Sequence, residues 1–270
     1  MDIFGITRIG VMTNKTLNSF RATRGKSLAE AKEITFNLGN LSARFNLFDA
    51  FCVPTYQMLI AQDATFHALI ATNRDLPEPF RSRLERLAQE RKNFHVLWLD
   101  DDDRPADAAG RKISEISSAN NVFTFRYDDD DALPKTYAQM VREAVSKREP
   151  DTVLSFHNGF SLSRVGEDQF LFNIRKYPLN AYGIGYKSSL ENLRTILHLG
   201  SHTKITRPTV HDTDQIGWLS SVHNLNDSRV GAPRVDPISA RDVLQQIKPL
   251  FPQISIETLQ TLQLRRSEDV

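Results

Sequence analysis

FHALIA (residues 66–71), FHVLWL (94–99) and VFTFRY (122–127) are short runs of large apolar residues, and the stretches between them carry apolar residues at helical spacing. A strand that is apolar at nearly every position is buried on both faces. Strands of that kind separated by helices form βαβ units around a mostly parallel sheet. A first strand over 3–12 completes the set. The helical stretches are 42–62, where Pro54 predicts a kink or break, 77–91, a short piece over 113–118, and 134–147. The expected fold is α/β, Rossmann-like, with helices flanking the sheet.

Beyond Pro150 the texture changes. Residues 152–164, 168–177 and 181–186 read as strands joined by tight turns, the last two as a hairpin-like antiparallel addition. SSLENLRTILHLGSH (188–202) reads as a helix, and 239–251 and 255–266 as two amphipathic segments interrupted by Pro249 and Pro252. The expected organisation is one domain over 1–236, with a mixed antiparallel part, and a helical tail over 237–270 packed on it. The tail's apolar faces and its Arg265 and Arg266 also suit a homodimer surface or a peripheral membrane contact.

Composition excludes several classes. A formal net charge of +1 leaves no basic stripe for nucleic acid. The single cysteine, Cys52, excludes a disulfide framework, fits a cytoplasmic setting and reads as a packing residue in LFDAFCVP. Asp2 and Arg8 interrupt the first apolar segment, so it is not read as a signal peptide, and no apolar stretch approaches the roughly 20 residues that span a bilayer. Membrane contact, if made, is peripheral, at the inner face.

Two strands end in four aspartates, Asp100 to Asp103 and Asp128 to Asp131. In a parallel α/β sheet, ligands gather at the carboxyl ends of strands, so both runs lie where a ligand would. The first run is followed by RPADAAGRK, small, polar and loop-like, and reads as a solvated loop or helix cap. The second follows FTFRY. Alternation puts Phe123, Phe125 and Tyr127 on one face and Thr124 and Arg126 on the other, and an arginine there needs a carboxylate or an anion. Carboxylates at a strand end suit Mg2+ or Mn2+, with a phosphate completing the shell.

At this point the chain resembles the GT-A fold of nucleotide-sugar-dependent glycosyltransferases and, more narrowly, the bacterial rhamnosyltransferase family. The resemblance is carried by ITRIGV, RFNLFDAFCVPTYQMLIAQDATFHALIA, LPEPFRSRL, FRYDDDDAL and DQIGWLSSVHNLN, and spans most of residues 3–228. It implies a GT-A-like sheet and a D-x-D metal site for Mn2+ or Mg2+. Asp128 and Asp129 fall on the nucleotide-sugar side, and Asp130 and Asp131 on the metal, with Asp130 the direct ligand. A late histidine joins the metal; His223 is the choice and His211 the rival. A carboxylate before a helix start takes the acceptor proton in inverting members. Asp214 fits this role best, Asp212 stands beside it, and a plain cap for QIGWLSSV is the bland alternative. Thr7 and Arg8 after the first strand, and Asn73 and Asp75 after the second, are expected at the nucleotide. His67, His95, His157 and His198 are read as packing residues.

The implied activity is transfer of a sugar, rhamnose or a similar deoxyhexose, from a dTDP-, UDP- or GDP-linked donor to a hydroxyl of a bacterial glycan. The metal neutralises the departing diphosphate, Arg126 assists, and Asp214 accepts the proton with inversion. Two other classes use similar residues. A nucleotidyltransferase needs a glycine-rich phosphate loop, and TRIGVMTNKT offers only Gly10. A non-catalytic divalent-ion or carbohydrate-binding protein needs the aspartates but neither Asp214 nor Arg126.

Overall fold

The computed structural model describes residues 1–226 and 235–264. Eight strands form one mixed sheet: β1 Asp2–Arg8, β2 Phe66–Asn73, β3 Phe94–Leu99, β4 Asn121–Arg126, β5 Thr152–Gly166, β6 Gln169–Lys176, β7 Gly185–Ser189 and β8 Thr209–Ser221. Their order is β3-β2-β1-β4-β7-β5-β6, with β8 also on β5. The β1, β2, β3 and β4 pairings are parallel, as the βαβ alternation implies. β7 enters antiparallel between β4 and the first residues of β5. It therefore does not form a hairpin with β6; the hairpin is β5–β6. β8 returns parallel to β5, so β4, β5 and β8 run in one direction.

The helices are α1 Leu28–Thr35, α2 Leu38–Leu47, α3 Val53–Gln62, α4 Phe80–Glu90, α5 Pro105–Ile116, α6 Tyr137–Val145, α7 Ala240–Ile247 and α8 Ile256–Gln260. α2 and α3 are joined by a π-helical segment, Phe48–Cys52, in which the Val53 N–H donates to the Phe48 carbonyl. Pro54, expected to break this helix, stands just after that segment, where the widened turn accommodates its missing N–H. α5 starts at Pro105, well before the expected 113. Proline in its first turn, Asp107 beside it and three alanines are helix-starting chemistry within what reads as a loop. Residues 188–202 are not helical beyond a short 3-10 turn, Ile196–Leu199. Ser188 and Ser189 pair with β4 instead, and the Ser188 hydroxyl then accepts the Arg194 N–H.

Alternation along the central strands sends neighbours to opposite cores. Ile3, Phe66, Phe123 and Phe125 pack with Phe45, Phe48 and Tyr56 of the α2–α3 helix and Tyr137 of α6. Phe4, Leu69 and Val122 pack on the other face with Ile113 of α5 and Ile196. A third cluster joins Phe160, Leu162, Phe170 and Leu219 to Val243, Ile247, Phe251 and Leu259, so the tail helices lie against β5, β6 and β8. Arg265 and Arg266 lie outside the described residues. Among the described residues no helix is long and apolar enough to cross a membrane.

Candidate active site

Both aspartate runs follow strand ends, but their surroundings differ. In the first run, Asp100 pairs with Arg74, Asp101 with Lys32, and Asp102 accepts from Asn14, all at the surface. The Asp103 carboxylate accepts the Asp100 N–H, closing the turn before α5. Carbonyls of this run also hold Asn14 and Thr13, so it anchors the loop after β1.

The second run is buried at Asp129, Asp130 and Asp131, and each aspartate has its own partners. Asp128 takes two bonds from Arg126, at 3.1 and 3.2 Å. Asp129 takes two from Arg44 of α2, at 3.0 and 2.5 Å. Asp130 Oδ2 accepts from His223 Nε2 and Asn226 Nδ2, each at 2.9 Å. Asp131 Oδ1 accepts the Ser221 N–H at 3.3 Å, while its Oδ2 is buried with no hydrogen-bond partner among the described residues. Two backbone bonds between Ala132 and Leu219 stitch the loop to β8.

The electrostatics follow this pairing. Burial pushes Asp129 up to about 6 even though Arg44 works against it. Burial, with Asp130 and Asp128 beside it, pushes Asp131 well above the usual carboxylate range. Burial also works to raise Asp130, but the hydrogen bond from His223, with Arg44, holds it below its ordinary value. The neighbouring Asp128 raises Arg126, and Asp129 raises Arg44. Arg8 goes the other way: burial and then Arg126 lower it to about 10.

These residues line a cavity of about 620 Å³. Its lining includes Arg8, Arg44, Arg126 and the four aspartates, and also the apolar or aromatic Tyr182, Ile184, Ile196, Leu197 and Ile205. A second cavity of about 550 Å³, between α1, α2 and the loop after β1, shares Arg8, Phe20, Arg44 and Asn226 with it. The Arg8 guanidinium lies over the Phe20 ring, 5.2 Å from its centroid, and has no hydrogen-bonded acceptor among the described residues.

Of the residues expected at the site, Arg8, Arg126 and Asp128 to Asp131 come together in this cavity. Five others do not take the places expected of them. Thr7 is buried against the Tyr56 hydroxyl (2.9 Å) and Cys52. Asn73 is buried and grips both backbone groups of Met12. Asp75 is exposed and pairs with Lys32. Asp214 is exposed on β8, which is a strand here and not a helix start; its carboxylate accepts from Thr213 and it lies outside the cavity lining. Asp212 closes the local turn by accepting from the backbone of Asp214 and Gln215. His223, expected on a metal, has both ring nitrogens committed. Nδ1 accepts the Leu225 N–H, which leaves Nε2 protonated to donate to Asp130. It therefore holds Asp130 in place. His211 is remote from the aspartates and bonded to His157 at 2.8 Å. Cys52 is buried, as read.

Arg44 and Asn226 were not singled out from the sequence, though both had a signal. Arg44 is a cation on the apolar face of RFNLFDAF, and Asn226 closes the pattern W-x-x-x-x-H-x-x-N begun at Trp218.

Among the described residues no three His, Cys, Asp or Glu side chains converge as a closed metal shell. The cavity lining does offer a carboxylate oxygen without a partner on Asp131, with Asp130 and Asp128 near enough to raise it. Magnesium and manganese bind in this manner, through one or two carboxylates with phosphate and water completing the shell. The donor set fits a hard divalent cation.

A family profile described as "Putative rhamnosyl transferase" matches residues 2–235. Comparison with curated proteins gives no match. Among solved structures, S. aureus TarS 1-349 in complex with UDP-GlcNAc is similar at 11% identity over 83% of this chain and 59% of that one, with a TM-score of 0.39. HddC from Yersinia pseudotuberculosis is similar at 10% identity over 78% of this chain and 89% of that one, TM-score 0.40. A Bacillus anthracis protein described as a "Putative Glucose-1-Phosphate Thymidylyltransferase" gives 12% identity, 81% and 89% coverage, and a TM-score of 0.36. The chain spans about six-tenths of the length of the TarS 1-349 chains it matches.

Proposed function

Because this chain belongs to the rhamnosyl transferase family over residues 2–235, we propose that it is a glycosyltransferase. It moves a sugar, rhamnose or a similar deoxyhexose, from a nucleotide-sugar donor to a hydroxyl of a glycan, with the cytoplasm as its setting. One observation carries the reading: a single cavity holds a cationic group and an acidic group that each lack a hydrogen-bonded partner among the described residues. Arg8 lacks an acceptor and Asp131 Oδ2 lacks a donor or cation. Burying a charge unpaired is costly, and a diphosphate with its divalent cation relieves both at once.

Asp131, with Asp130 and Asp128, would hold the cation, which when bound supplies charge neutralisation on the departing diphosphate. Arg8 binds the phosphate oxygens directly. Arg126 keeps Asp128 in place, Arg44 keeps Asp129, and His223 with Asn226 keeps Asp130. The transfer inverts the anomeric centre. A general base must stand within hydrogen-bond reach of the hydroxyl, and Asp214 has no place in the cavity lining. In the same reading, 1–236 is the transferase domain and 237–270 a packing tail, since no described tail residue lines either cavity.

Calorimetric titration of UDP, GDP and dTDP, each with and without Mn2+, tests this. Wild type should bind one of them in a manganese-dependent way. Asp131→Asn should abolish the manganese dependence. Arg8→Ala should weaken binding roughly tenfold to a hundredfold, the worth of one charge-assisted contact. Asp214→Asn should leave sugar transfer intact. Folded protein that binds none of the three nucleotides refutes the reading.

A further inference from the structure

Tyr182 lines the cavity together with the four aspartates, and its position is fixed from several sides. Trp218 covers one face of the ring, with centroids 4.7 Å apart and planes 35° apart. Trp218 is itself buried and anchored, donating its indole N–H to the Phe156 carbonyl at 3.1 Å. The Tyr182 N–H donates to the side chain of Asn180, a buried residue whose amide also holds Phe156 and Tyr177. The next residue, Gly183, has φ of +69° and donates to the Arg126 carbonyl, and Arg126 donates to Ile184. Tyr182 is therefore tied to the strand end from which the aspartates spring. Burial and the nearby Asp131, Asp128 and Asp130 raise its hydroxyl well above its ordinary value, so it stays neutral.

This half-buried ring, covered on one side by Trp218, lines the cavity. A flat neutral ring beside ionised carboxylates matches a ligand that is apolar on one face and rich in hydroxyls at its rim, which describes a pyranose. Resting on the glycosyltransferase reading, we propose that Tyr182, backed by Trp218, is the platform on which the transferred sugar ring stacks, and so a binding residue for the sugar as distinct from the nucleotide.

The test separates flatness from packing. Tyr182→Phe keeps the flat face; Tyr182→Leu still covers Trp218 but removes it. Titrations use UDP, GDP and dTDP beside UDP-glucose, GDP-mannose and dTDP-rhamnose, with Mn2+. The expected result is that both variants bind the preferred nucleoside diphosphate within about twofold of wild type. Phe should keep sugar-nucleotide affinity within about threefold, whereas Leu should lose about tenfold or more, roughly one hydrogen bond or stacking contact in magnitude. In a Trp98→Phe background, the sugar nucleotide should also change Trp218 fluorescence more than the bare diphosphate does. Equal losses for diphosphate and sugar nucleotide in Leu, or no loss for either, would overturn the platform alone. Wild type that binds no nucleotide would overturn the platform together with the transferase reading.

Discussion

Replacing Arg44 with methionine would leave Asp129, with a side chain 1% exposed, without its ion-paired cation. Breaking a buried pair by removing one partner costs about 3–5 kcal/mol. Arg44 itself is 33% exposed on its side chain, so solvent screens part of the interaction and the lower end, about 3 kcal/mol, is the better expectation. For a chain of this size that corresponds to roughly 6–12 °C in Tm. The sign with pH is fixed by which form of Asp129 is costly. Burial already holds its carboxyl up at about 6 with Arg44 in place, and losing Arg44 raises it further. A carboxylate whose folded value is raised is tolerated when protonated and costly when ionised. The deficit of Arg44→Met should therefore be largest at high pH, shrink as pH falls toward about 6 and be largely gone below that. Circular-dichroism melts of both proteins, with chelator, near pH ~8 and pH ~5 measure it. A deficit equal at the two pH values, or below about 1 kcal/mol at the higher one, would refute the assignment of Arg44 as the neutralising partner.

Other perturbations probe the frame. At Gly159 an added Cβ would lie 2.0 Å from the Trp218 ring, which is 1% exposed and cannot retreat. Gly159→Ala should cost about 1–3 kcal/mol in a denaturant melt, and a neutral result would mean that the ring is loosely held. Asp101→Asn removes one of the two surface carboxylates on Lys32 and should change stability by less than about 1 kcal/mol. Calorimetry on the same variant should give unchanged nucleotide affinity; a large loss would place the first run in the site. His95 is pushed down to about 4 by burial, then by His67 and Lys112. Its folded value lies below the unfolded one, so its contribution is whole above about 6.5 and lost as pH falls. After allowance for its partial exposure, His95→Asn should flatten the loss of stability between neutral pH and about pH 5 by roughly 1 kcal/mol, read from melts across that range.

Much of this was legible in the residues. Fully apolar runs gave the parallel strands because only doubly covered strands tolerate them, and Arg126 before four aspartates marked the strand end that carries the site. What was not legible depended on distant chain. RPADAAGRK looked like a loop, yet Pro105 and Asp107 are helix-starting residues once α5 has a sheet face to cover. QIGWLSSV looked like a helix because its apolar spacing is ambiguous, and pairing with β5 decided it. That pairing also moved Asp214 out of the site. His223 was found by its motif, but its role was not, because whether a histidine meets a metal or a carboxylate depends on what faces its second nitrogen. Leu225 and Asp130 settle that only in three dimensions.

The acidic loop draws its partners from far along the chain: Arg44 lies 85 residues before Asp129, and His223 lies 93 residues after Asp130. A chain emerging from the ribosome thus completes β4 and its four carboxylates long before the histidine that secures Asp130 has been made. Contacts so distant in sequence form late in folding. During synthesis the loop carries mutually repelling charges, with Arg8, Arg44 and Arg126 to oppose them. The finished acidic centre is then among the last features to appear.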